Sequence, residues 1–198
     1  MILNPQHPEG QRLKGSRYPS RIFGALLTTA FSFFLLYFFV WGKPKRLDGI
    51  EIKGTSRFKN QVFAALILLK TKSPDEYEIV TNYIGAIKQS KHSGMAAYLK
   101  PPTFLLNDRT AYRSLEWCAG SIAHDSMHSK LFNDYLKQHP KERVPDEIWT
   151  GMPIEILCSE HQKRVLKNIN AAHSEIEWLA KNYTNSSFYE MDYEKRKW

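Results

Sequence analysis

Residues 22–41, IFGALLTTAFSFFLLYFFVW, form a run of 20 positions without a charged side chain. At ~1.5 Å per residue, a helix of that length crosses the ~30 Å hydrocarbon layer, so the run predicts one N-terminal transmembrane helix. Tyr37 and Trp41, towards its end, suit the interfacial aromatic belt. A cleaved signal peptide fits less well: apolar signal cores run only ~7–15 residues and end at small residues, whereas VWGKPKR follows here.

This anchor changes how the net charge of +8 is read. Arg12, Lys14, Arg17 and Arg21 precede the run, and Lys43, Lys45 and Arg46 follow it, which places seven of the 28 basic residues beside the membrane. There they can meet anionic lipid headgroups. The rest are interspersed with acids as on a solvated surface, and no nucleic-acid motif accompanies them, so nucleic acid is not an expected partner. Four basic residues before the run against three after it favour a cytoplasmic N-terminus and an extracytoplasmic domain. The expected organisation is a disordered basic N-terminus at 1–21, the membrane helix at 22–41, a short linker ending near Gly49, a domain over 47–182 and a basic tail at 183–198.

Within the domain the apolar spacing is mainly helical. Phe58, Val62, Ala65, Leu66 and Leu69 recur at helical period behind Thr55 or Ser56 as cap. A second helix is expected from Ser73 as N-cap and Pro74 in its first turn, carrying Tyr77, Val80, Ile84 and Ile87 on one stripe. SGMAAYLKPPTFLLND then reads as two short extended pieces, 96–99 and 103–106, with Pro101 and Pro102 favouring a sheet edge. A long helix follows to about residue 137, capped by Asp108 or Thr110, then a proline-containing loop over 137–153. Helices near 153–170 and 172–181 complete the pattern. The expected fold class is mainly α with a small extended or β element.

IAHDSMHSKLF, residues 122–132, carries the chemistry. His124 and His128 lie one helical turn apart on one face and can reach a common ion, with Asp125 next to the first. Seven histidines and 20 acids in 198 residues give about 0.025 such arrangements by chance, so the pattern is informative. A catalytic zinc needs a third protein ligand. Glu155 is the leading choice, because it opens a helix whose inner stripe continues through Cys158, Gln162 and Leu166. Glu160, His161 and Asp146 are rivals, the first two placed on a more polar flank. Cys118 and Cys158 read equally as a disulfide or as two buried thiols.

WCAGSIAHDSMHSKLF followed by GMPIEILCSEHQKRVLKNI resembles the gluzincin-type zinc metallopeptidases, and more closely a group of small bacterial metallopeptidases. Those share a W-x-A-G-x-I-x-H-[DE]-x-x-H helix and then an E-x-x-C-x-x-x-Q-x-x-x-L helix. The similarity covers about residues 110–170 and is weaker back to Phe58. It implies a minimal zincin-like domain in which His124, His128 and Glu155 bind Zn2+, Asp125 is the acid–base residue, and a peptide or protein is the substrate. Asp125 departs from the commoner glutamate by one methylene, which draws its carboxylate ~1.5 Å nearer the backbone. The edge segment AAYLKPPTFLL would pair with an extended peptide, and His173, Tyr98 and Tyr112 are the candidate oxyanion stabilisers.

Two further readings compete. One is a tethered interaction module whose zinc site no longer turns over. The other is an HD-type phosphohydrolase using His92, His124, Asp125 and Asp192, which would leave His128 and Glu155 without a task.

Overall fold

Asp48 and Gly49 both adopt positive φ, at 45° and 87°. That is the two-residue turn whose twist matches paired strands, and Asp-Gly is a favoured sequence for it. It joins β1 (Lys45–Leu47) to β2 (Ile50–Lys53) as an antiparallel hairpin in which Leu47 faces Ile50. The stretch expected as linker therefore opens the fold. These observations come from a computed structural model that describes residues 44–183. The expected membrane helix at 22–41, the N-terminal segment 1–21 and the tail beyond 183 lie outside the described residues. No helix among the described residues is long and apolar enough to cross a membrane.

Helix α1 (Ser56–Lys72) begins where the Thr55 hydroxyl accepts the Phe58 amide at 3.3 Å. Phe58, Val62, Ala65, Leu66 and Leu69 are fully buried, so the five-residue stripe is the helix's core face. Ser73 then leads into α2 (Pro74–Tyr83), its hydroxyl donating to Glu76 Oε2 at 2.8 Å. The expected helix stops short here. Ile84 is extended, and a Cβ on Gly85 would meet the Pro101 ring at 2.3 Å, so the chain passes where only glycine fits. Ala86–Ser90 forms β3 instead. Ile84 and Ile87 are buried as the stripe required, but from a different element.

Strand β4 (Gly94–Ala96) and strand β5 (Thr103–Asn107) complete a five-stranded mixed sheet in the order β1-β2-β3-β5-β4. β2, β3 and β5 run parallel, and β4 pairs antiparallel with β5. The extended piece expected at 96–99 is instead a turn after Ala96, the edge strand being Gly94–Ala96, and the proline argument for an edge fails for β5. Pro101 and Pro102 precede β5 and leave the amides of 103–107 available, so β5 bonds on both sides. Pro102 also supplies the carbonyl that accepts from Gly85 and Ala86.

The long helix is likewise divided. Asn107 caps the short α3 (Asp108–Ala111), and Ser114 accepts the Trp117 amide at 2.8 Å to start α4 (Leu115–Gln138). With 24 residues, α4 is the longest described helix and packs against α1, α2 and β4. Within the expected loop, Asp146–Trp149 coils into α5. Gly151, at φ 85°, turns the chain into α6 (Met152–Asn168), with Pro153 in its first turn. Helix α7 (His173–Tyr183) closes against α6. There Arg113 lies between the rings of Trp117 and Trp178, 3.8 and 4.1 Å from their centroids. The described domain is thus mostly helical with a small mixed sheet.

Candidate metal centre

The contact between α4 and α6 sets the site. A Cβ on Gly120 would lie 2.9 Å from Leu166 Cδ2 and 3.2 Å from Gln162 Cγ, so the two helices approach more closely than side chains elsewhere would allow. One and two turns further along α4 come His124 and His128. Across from them, the first turns of α6 carry Glu155 and Cys158.

His124 Nε2 and His128 Nε2 stand 3.1 Å apart. Glu155 Oε2 lies 3.3 Å from the first and 3.7 Å from the second. Two zinc bonds of ~2.0–2.1 Å at the tetrahedral angle leave their donor atoms about 3.3 Å apart, so these three atoms have the spacing of one face of a coordination tetrahedron. The orientation of His128 is fixed from behind: its Nδ1–H donates to the Trp149 carbonyl at 2.7 Å, which directs Nε2 towards His124 and Glu155. Helix α5, within the segment expected to be a plain loop, provides that support.

Cys158 adds a fourth donor. Ligand atoms of His124, His128 and Cys158 all lie within 4.8 Å of one another, and all three residues are buried, so the group can hold a metal ion. Both cysteines are free thiols, Cys118 in the apolar core and Cys158 beside the imidazoles. The sequence put Cys158 one turn after Glu155 on the same inner stripe, but did not mark it as a ligand.

Electrostatics follow from burial and proximity. Burial pushes the Asp125 carboxyl up to about 6, against the opposing charges of His124 and His128. Glu155 goes the other way: burial raises it, but hydrogen bonds and charge from the two imidazoles outweigh that and hold it well below the usual carboxylate range. For His128, burial disfavours the cation, and its bonds to Cys158 and Glu155 overcome that, so it is raised. Burial raises the Cys158 thiol despite the neighbouring imidazole.

His124, Asp125, His128 and Glu155 together line a cavity of about 170 Å³. Its apolar wall includes Met95, Phe104, Trp117 and Trp149, and Gly94 and Met95 bring the edge strand β4 to its border. Of the rival ligands, Glu160 pairs with Lys163 and is half-exposed, while Asp146 is largely exposed beside Arg143. His161 was expected on a polar flank but is buried. Its Nδ1 accepts from Arg164 at 2.8 Å, and burial lowers it to about 4. His92 is exposed and off the cavity wall, and Asp192 lies outside the described residues. The oxyanion candidates are not assembled either: none of His173, Tyr98 and Tyr112 lines the cavity.

Comparison with protein-family models, with curated proteins and with solved structures gives no match.

Proposed function

We propose that this chain is a membrane-anchored, zinc-dependent hydrolase of amide bonds, a metallopeptidase built on an H-D-x-x-H helix and a following glutamate. The observation that carries the reading is the triangle of His124 Nε2, His128 Nε2 and Glu155 Oε2, with edges of 3.1, 3.3 and 3.7 Å, on the wall of a cavity that Asp125 shares. Two histidines and a glutamate are a ligand set that leaves a zinc coordination position open. Zinc held there supplies Lewis acidity towards water and a substrate carbonyl.

The protein's own groups do the rest. Asp125 lines the cavity beside the ligands and is the base, returning the proton to the departing amine nitrogen. Glu155 stays ionised and neutralises part of the cation's charge. β4 is the edge strand of the sheet among the described residues and borders the cavity, a position suited to a substrate bound in extended form. Met95, Phe104, Trp117 and Trp149 favour an apolar side chain beside the scissile bond. With residues 22–41 as the anchor and the N-terminus in the cytoplasm, the substrate is a peptide or protein near the outer membrane surface.

The test is metal content and turnover together. The full chain, loaded with zinc, should hold about one ion per chain and cleave members of a peptide library, and His124→Ala should lose both. Asp125→Asn should keep its zinc while kcat falls by about 10²–10⁴. Unchanged turnover in that variant would remove Asp125 as the base. A second reading, a metal-holding tethered module without turnover, is favoured by the short Asp125 and by the buried thiol in the His124–His128–Cys158 group. It predicts bound zinc and no cleavage of any library member.

A further inference from the structure

Cys158 and Glu155 approach the same pair of imidazoles from one helix, but from different surroundings. Glu155 lines the cavity. Cys158 has no exposed surface and is absent from the cavity wall, yet its sulfur lies within 4.8 Å of the ligand atoms of His124 and His128. Three residues apart on α6, the two project in neighbouring directions, and the Gly120 contact keeps both within reach of α4.

We propose that the histidine pair serves two ligand sets, an open one completed by Glu155 on the cavity side and a closed one completed by the Cys158 thiolate on the core side. The inference rests on the metal reading above. In the closed set His124, His128 and Cys158 would hold the ion, and the sulfur would bind in place of the water that completes the open set. Entering the closed set, the thiol gives its proton to solvent and one water leaves. On return to the open set, one proton and one water are taken up, so atoms and charge balance and no oxidant is required. Thiolate and carboxylate both suit zinc, the first as a softer donor with a longer bond of about 2.3 Å. The Cys158 thiol bonds to His128 and lies within 4.8 Å of both imidazole ligand atoms, whereas Cys118 is buried in the apolar core.

Cobalt(II) reports the donors directly, because thiolate ligation adds a sulfur-to-metal charge-transfer band in the near ultraviolet. The full chain in detergent, stripped and reloaded with cobalt, should show that band at one metal per chain. The band should persist in Cys118→Ser and vanish in Cys158→Ser while the metal stays bound. Glu155→Gln should also keep its cobalt with a stronger band, and the double variant Glu155→Gln/Cys158→Ser should lose the metal by at least tenfold in affinity. Cobalt bound to the unaltered chain without the band would overturn the second ligand set and leave the hydrolase reading intact, as would a band that survives in Cys158→Ser. Failure of the unaltered chain to bind cobalt at all would overturn both. If Cys158→Ser does not fold, the unaltered chain and Glu155→Gln decide the matter alone.

Discussion

Asp125 is the residue whose fold-imposed cost can be measured without any substrate. Its carboxyl is raised from 3.8 to about 6 by burial, so over that interval the folded chain holds a proton that the unfolded chain has released. A raised acid lowers stability as pH climbs from about 4 to about 6, and the penalty is complete above 6. A shift of that size corresponds to about 2–3 kcal/mol. In metal-free protein, Asp125→Asn should therefore raise the urea midpoint at pH 7.5, and the gain should shrink towards zero near pH 4. Comparing variant with parent at each pH cancels much of the opposite trend from Glu155, whose lowered pKa stabilises the fold at neutral pH and is lost on acidification. An equal gain at pH 4 and 7.5 would mean that Asp125 is not destabilised by its charge. His124 and His128 were nameable from spacing, because a helix fixes which residues share a face, whereas Glu155 was a choice among several acids and the role of Asp125 followed from the resemblance. Cys158 was placed on the inner stripe behind Glu155 but read as half of a possible disulfide or a buried thiol, not as a ligand. Its approach to the imidazoles depends on how closely two helices pack, which spacing along either one does not encode.

At the scale of elements, Gly120 decides whether the site exists. Valine there would press branched methyls against Leu166 and Gln162, which already stand within about 3 Å of a bare Cβ. Gly120→Val should cost about 1–3 kcal/mol by overpacking, even after the helix gains from losing glycine. It should also weaken metal binding, because forcing α4 and α6 apart draws Glu155 off the imidazoles. A denaturation curve and a metal titration check both parts; loss of stability with unaltered metal affinity would show that the site tolerates helix displacement. Elements were readable to very different degrees. The stripe of α1 and its Thr55 cap were legible, since period and cap agree. The hairpin at Asp48–Gly49 was also written in the chain, as KRL and IEIK around a favoured turn, but its strands are too short for periodicity to announce. Strand β3 was hidden for another reason: Ile84 and Ile87 continue the helical stripe of α2, and only the collision between Gly85 and Pro101, 16 positions later, shows that the helix has ended. Such tertiary contacts override local pattern.

For the whole molecule, the centre is a junction. The imidazoles belong to α4, the carboxylate and thiol to α6, and the carbonyl that orients His128 to α5. An ion gripped there cross-links segments that in the unfolded chain have no fixed relation, so its binding energy adds to folding stability. At a free metal concentration 100-fold above Kd, the added stability is about 2.7 kcal/mol. For a domain of this size each kcal/mol moves the melting temperature by roughly 2–4 °C, so saturating zinc should raise Tm of the stripped chain by on the order of 5–10 °C. EDTA should reverse the rise, and His124→Ala should abolish it while leaving the metal-free melt within a few degrees of the parent. Magnesium should not substitute, because nitrogen and sulfur donors do not suit that cation. Thermal unfolding of the full chain in detergent, with and without zinc, reads all of this. Identical melts in zinc and in EDTA would mean that the four side chains are a hydrogen-bonded core cluster, and that the histidine spacing on α4 serves packing and not a metal.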